Sequence, residues 1–183
     1  MEKRSFWAVG TREVVYMAIG AALYGVFSWI FNIFLVIPGT ANVAVRPAVV
    51  LPLFFGAVFG PWVGFFTGFV GNIIGDLLSG WGFWPWWDLG NGLMGFFAAF
   101  ALLSVKEYRA GRDYALAELW AAIGVVIGMG IASLSEMWVS GADMRAVIFA
   151  NFVPAAATDL VNGLILLPIL LAAYMAVARR TGR

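Results

Sequence analysis

"RPAVVLPLFFGAVFGPWVGFFTGFVGNIIGDLL", residues 46–78, carries no charge from Pro47 to Gly75, and the way it divides decides the fold. Read as one kinked helix, it leaves five membrane spans and puts the two chain ends on opposite sides. Read with a break at Phe59-Gly60-Pro61, it makes two helices, because glycine closes a helix and proline favours the first turn of the next. The break gives six spans, 13–36, 47–59, 61–79, 87–105, 115–138 and 145–177. The second is short for a bilayer crossing and needs tilt or shielding by its neighbours.

The rest of the chain has the same solvent preference. Of 183 residues 63% are hydrophobic and 11% charged, with a mean hydropathy of +0.92, so the natural surroundings are lipid. Further uncharged runs extend from Val14 to Val45, Leu89 to Val105, Leu119 to Ser135 and Leu160 to Ala178. Barrels read as short alternating segments, so these runs predict an all-α membrane protein. The apolar stretch after Glu13 is too long for the core of a signal peptide, and the N-terminus is expected to stay in the mature chain. Residues 1–183 read as a single integral-membrane domain.

Charge decides between six spans and five. With six, one side receives Lys3, Arg4, Arg12, Lys106, Arg109, Arg112, Arg179, Arg180 and Arg183, and the other only Arg46 and Arg145. That asymmetry places both termini in the cytoplasm. The region 71–92 then lies at the outer mouth.

The chain has no cysteine and no histidine, which removes thiol nucleophiles, disulfides, haem and most zinc chemistry. No GxxxxGK[ST] loop occurs, so any ATP-driven work needs a separate ATPase subunit. No cofactor or metal is expected, and the net charge of +1 carries no nucleic-acid signal.

The acidic residues sort by depth. Glu2, Glu13, Glu107, Asp113 and Glu118 lie near the basic cytoplasmic ends, where solvated ion pairing explains them. Asp76, Asp88, Glu136, Asp143 and Asp159 lie at the outer side or within the membrane, with Asp159 deepest. A carboxylate at a helix centre costs of order 2.5–3.5 kcal/mol on insertion, so it faces a cavity or a partner. In the last span Asn151, Ala155, Thr158, Asp159 and Asn162 recur at steps of three or four and share a face. Ser133 and Glu136 share one near the outer end of the fifth span, with Trp138 beyond, and Asn91 follows Asp88 on the fourth. Interhelical hydrogen bonds, each worth about 0.6 kcal/mol, are the plain explanation of any single one. A one-sided collection favours a ligand pocket.

Trp62 at the cytoplasmic turn reads as an interface anchor. Trp81, Trp84, Trp86 and Trp87 are more crowded: anchoring accounts for one or two, and four beside two aspartates also suit a cage for a flat heteroaromatic or cationic ligand. The loop "VIPGTANVAVRP" (36–47) could close over such a pocket, or it could be a connector whose Arg46 binds lipid phosphate. On the first span Ala18 and Ala22, with Ala21 and Gly25 beside them, permit close helix approach, either to a partner or within the chain.

The order of these features resembles the S components of energy-coupling factor (ECF) transporters, particularly their riboflavin-transporter-like branch. The resemblance rests on residues 46–78, on "WPWWDLGNGLMGF" (84–96) and on "ATDLVNGLILLPIL" (157–170), and with the six-span plan it covers most of the chain. It implies a six-helix bundle in a prokaryotic plasma membrane that captures a vitamin or related micronutrient from outside. It also implies two kinds of partner, a transmembrane T component and two ATPases. The family's Ala-x-x-x-Ala for docking on the T component matches Ala18 and Ala22.

The expected substrate site gathers Arg46, Asp76, Trp84, Trp87, Asp88 and Asn91 on one side, and Glu136, Trp138, Asn151, Asp159 and Asn162 on the other. Its carboxylates, facing one deep cation, lean toward a neutral or cationic ligand, such as a pyrimidine- or thiamin-like or flavin-like heterocycle. Two other classes compete. A membrane enzyme could use Asp76, Asp88 and Asp159, but these lack the spacing of a catalytic motif. A stand-alone secondary carrier would be expected to show an inverted repeat, and the halves show none.

Overall fold

The computed structural model of the protein describes residues 5–40 and 43–180. Among these residues six helices form: α1 Thr11–Phe34, α2 Pro47–Phe59, α3 Pro61–Leu78, α4 Pro85–Ala98, α5 Gly111–Val139 and α6 Met144–Arg180. The number and order are those expected of the six-span reading. Lys3, Arg4 and Arg183, which contributed to the charge asymmetry, lie outside the described residues, as does Glu2, expected in a solvated ion pair. Arg12, Lys106, Arg109, Arg112, Arg179 and Arg180 fall at the end of the bundle expected to be cytoplasmic.

The break between α2 and α3 has a definite backbone cause. Gly60 has φ +112°, a conformation that side chains beyond hydrogen resist, and Pro61 opens α3. The second helix is shielded as its length requires, with Val50, Pro52, Leu53, Phe55, Gly56 and Ala57 buried by its neighbours. Four helices, α1, α3, α5 and α6, are long and apolar enough to cross a bilayer by themselves. The core lies between α2, α4, α5 and α6, around Leu53, Met94, Met129, Leu167 and Leu171. Side chains such as Phe34 and Phe149 point outward, as apolar groups do where the solvent is lipid.

Helices α2, α3 and α4 meet at three glycines. A methyl group on Gly56 would lie 2.0 Å from the carbonyl oxygen of Gly95, and one on Gly95 would lie 2.2 Å from that of Gly64. Any side chain there would force the backbones apart, which fixes the three helices relative to one another.

Helix α4 ends at Ala98, short of the expected residue 105, and passes into a 3-10 turn over Ala99–Leu103, and α5 and α6 show departures of their own. Helix α5 starts at Gly111, earlier than residue 115, because the Asp113 carboxylate accepts the backbone N–H groups of Arg109 and Ala110 at 2.9 and 2.8 Å. Asp113 thus caps a helix rather than joining the solvated ion pairs expected of it. Glu107 does pair, with Arg109 and Arg179, and these hold its carboxyl below the ordinary value. Helix α6 contains a π-helical stretch, Val147–Phe152, just before Pro154, which has no N–H to return to the preceding turn.

The small residues of α1 separate by face. Ala21 and Gly25 are buried, Gly25 so close to α3 that a methyl on it would meet Ile74, whereas Ala18 and Ala22 stay exposed. The first pair serves packing within the chain, and the second remains open for an external contact.

Candidate functional site

The loops of the outer end build one side of a cavity of about 600 Å³. Residues 35–37 and 43–45 pair as the arms of a narrow hairpin, with Ile37 N–H donating to the Val43 carbonyl and Val45 N–H to the Leu35 carbonyl, each at 2.8 Å. The hairpin turns Val43, Ala44 and Arg46 toward the interior. Arg46 is 8% exposed, and one terminal nitrogen of its guanidinium donates to Asn72 Oδ1 at 2.9 Å. The lipid-phosphate reading of Arg46 is therefore corrected: a buried guanidinium needs protein acceptors, and the bundle supplies them.

Asn72 is the hub of this polar cluster. Its amide nitrogen donates to Asp76 Oδ2 at 2.9 Å and to Asp88 Oδ1 at 2.8 Å, while its oxygen accepts from Arg46. One neutral side chain thus separates two carboxylates and links both to the cation. Asp88 sits in the first turn of α4, where the helix dipole favours negative charge. Asp159 of α6 approaches Arg46 from the opposite side at 3.9 Å, with no hydrogen-bond partner on either carboxylate oxygen.

The aromatic wall follows. The Trp81 backbone N–H donates to the Asp76 carbonyl, and the Trp84 indole donates back to the Trp81 carbonyl at 2.8 Å, closing the 79–84 loop on itself. Trp87 Nε1 donates to Glu136 Oε1 at 2.8 Å and so joins α4 to α5. Asn91 Nδ2 donates to the Trp87 carbonyl at 2.8 Å, and Asn91 Oδ1 accepts from the buried Tyr24 hydroxyl at 2.5 Å. On the far side the π-helical turn brings Asn151 to the cavity, with its amide nitrogen bonded to the Ala146 carbonyl at 3.3 Å.

Of the residues singled out in the sequence, Arg46, Asp76, Trp84, Trp87, Asn91, Glu136 and Asn151 line the cavity. Asp88 and Asp159 do not. They stand behind the wall, fully buried, and hold Asn72 and Arg46 respectively. Asn162 lies away from the cavity and donates to the Thr158 carbonyl of its own helix at 2.9 Å. Trp138 is 62% exposed and meets Trp86 edge-on at 5.6 Å on the outer surface, so neither belongs to the cage. Trp81, named with the aromatic cage, lines the cavity, and so does Asn72, which was not among the expected contacts. Asn72 precedes Asp76 by one helical turn, and that spacing was the available signal.

The arrangement provides flat apolar faces, one guanidinium, and a formal excess of carboxylates. Among the described residues no three acidic side chains converge to hold a metal ion.

Residues 8–176 match the family model described as "ECF-type riboflavin transporter, S component". The chain is 38% identical over 131 residues to a UPF0397 protein of Vibrio atlanticus, covering 68% of this chain and 70% of that one. It is 35% identical over 134 residues to a UPF0397 protein of Aliivibrio salmonicida, covering 70% and 71%. A UPF0397 protein of Aliivibrio fischeri is 34% identical over the same length and the same shares. Such subunits bind vitamin-type substrates in the cell membrane for uptake with an ECF module, and are not enzymes. With most of its length matched and six helices in place, this chain belongs to the family of ECF-type riboflavin transporter S components.

Proposed function

We propose that the cavity captures a flat, neutral or cationic heteroaromatic micronutrient, pyrimidine-, thiamin- or flavin-like, at the outer face of the membrane. One observation carries the reading: a cavity of about 600 Å³ lined by the indoles of Trp81, Trp84 and Trp87 together with Glu136, Asp76 and Arg46. Its volume is of the size that holds a small cofactor. Indoles bind planar rings by stacking and cations by their ring faces. Formal negative charge in a low-dielectric cleft raises the local concentration of a cation. Arg46, Asp76, Trp84, Trp87, Asn91, Glu136 and Asn151 are the proposed contacts, and Asp88 and Asp159 hold two of the cavity's polar groups in place.

The captured ligand is then delivered inward when a T component and two ATPases engage the subunit. The exposure of Ala18 and Ala22 on α1 supports docking there, because small residues on an open helix face let another helix approach.

Native mass spectrometry of the detergent-purified protein, followed by tryptophan-fluorescence titration with riboflavin, thiamin and a hydroxymethylpyrimidine, tests the reading. The expected result is one bound molecule per chain with quenching that Trp87→Ala removes. Absence of binding across the panel and of any co-purified small molecule would sink it.

A further inference from the structure

We propose that Tyr24 is a positioning residue of the capture site, which sets the start of α4 from helix α1. Tyr24 lies past the middle of α1. Its side chain is fully buried two residues past Ala22, on the inner face of the helix whose outer face is open. Asn32 of the same helix bonds Ser79, at the end of α3. Tyr24 instead reaches past α3 to α4. Its ring lies against Gly71, where a methyl group would come within 2.8 Å of Tyr24 Cδ1, and its hydroxyl donates to Asn91 Oδ1 at 2.5 Å.

Asn91 passes the constraint on. Its other end donates to the Trp87 carbonyl one turn earlier, and the Trp87 indole is held by Glu136. A buried amide with both ends engaged has one favourable orientation, and losing either partner leaves a polar group unpaired. Further along α4, Gly95 is locked against α3 by the glycine contact. A displacement of α1 is therefore transmitted to the outer turns of α4, where Asn91 and Trp87 line the cavity, rather than to its pinned middle. The significance of this link rests on the capture reading above, in which the open face of α1 docks a partner. In that setting, ligand occupancy and docking bias the same hydrogen bond, and each must alter the affinity of the other.

The test uses the full chain in lipid nanodiscs with 15N-indole-labelled tryptophan, the Trp87 peak being assigned by Trp87→Phe. Tyr24→Phe is expected to shift the Trp87 indole peak and leave those of Trp7 and Trp62, at the opposite end, in place. The double variant Tyr24→Phe/Asn91→Leu removes donor and acceptor together, leaves no unpaired group from that bond, and serves if the single variant folds poorly. Gly71→Ala keeps the hydroxyl but crowds the ring, and is expected to move the same peak. A Trp87 peak unmoved in the folded variants overturns the proposal. A parallel titration with riboflavin and thiamin separates the two readings: if neither binds the wild-type chain, the capture reading loses its support, while the peak shift still decides the role of Tyr24.

Discussion

The indole nitrogen of Trp87 lies 2.8 Å from Glu136 Oε1, joining residues 49 positions apart across the mouth of the cavity. A hydrogen bond to a charged group contributes about 1.5–3 kcal/mol, so Glu136→Ala should weaken ligand binding by roughly one to two orders of magnitude. Glu136→Gln keeps an acceptor but removes the charge. It should therefore cost a cationic probe such as thiamin more affinity than a neutral one such as riboflavin, a comparison that fluorescence titration makes directly.

Asn72 holds Asp76 and Asp88 apart while accepting from Arg46. In Asn72→Leu three buried polar partners lose their bond at once. Each unsatisfied buried group costs about 1–3 kcal/mol. A fall in Tm of several degrees in detergent is expected, together with weaker capture, and an unchanged Tm would mean that the cluster is not under this control.

The glycines give a paired prediction with opposite signs. Gly95→Ala places a methyl against the Gly64 carbonyl and should destabilise by about 1–3 kcal/mol or more, as overpacking does. Gly130 sits mid-helix in α5, and the nearest atom to an added methyl is Phe152 Cε2 at 3.9 Å. Gly130→Ala should therefore stabilise by up to about 1 kcal/mol through helix propensity alone. Thermal unfolding of the two variants side by side checks both.

Ala18→Leu and Ala22→Leu alter the open face of α1 without touching the cavity. They are expected to abolish ATP-driven uptake in cells carrying the energising module while leaving the Kd of the purified protein unchanged. Loss of capture in either variant would mean that this face is not separate from the binding site.

The spans were legible because their breaks are local. Gly60 needs its unusual φ and Pro61 needs a first turn, and both requirements are written in two adjacent letters. The direction of Arg46 was not legible in this way. A cation at the end of an apolar loop suits lipid phosphate equally well until Asn72 and Asp159, 26 and 113 positions later, are known to stand behind it. Trp138 is a different case. It follows Glu136 by two residues, about 200° around a helix, so it could not share the inward face, and that much was readable from spacing. Asn162 lies eleven residues beyond Asn151, about 16 Å along the helix axis, and a helical wheel, which shows direction but not depth, placed the two on one wall.

The contact of Gly56, Gly64 and Gly95 also bears on how such a protein can change. With three backbones touching, the middle of the bundle tolerates almost no alteration of shape. The cavity, by contrast, is bounded by a hairpin, a tryptophan loop and the outermost turns of its helices. New ligand preferences can therefore arise by exchanging side chains at that rim, while the scaffold beneath, and the open face of α1, stays as it was.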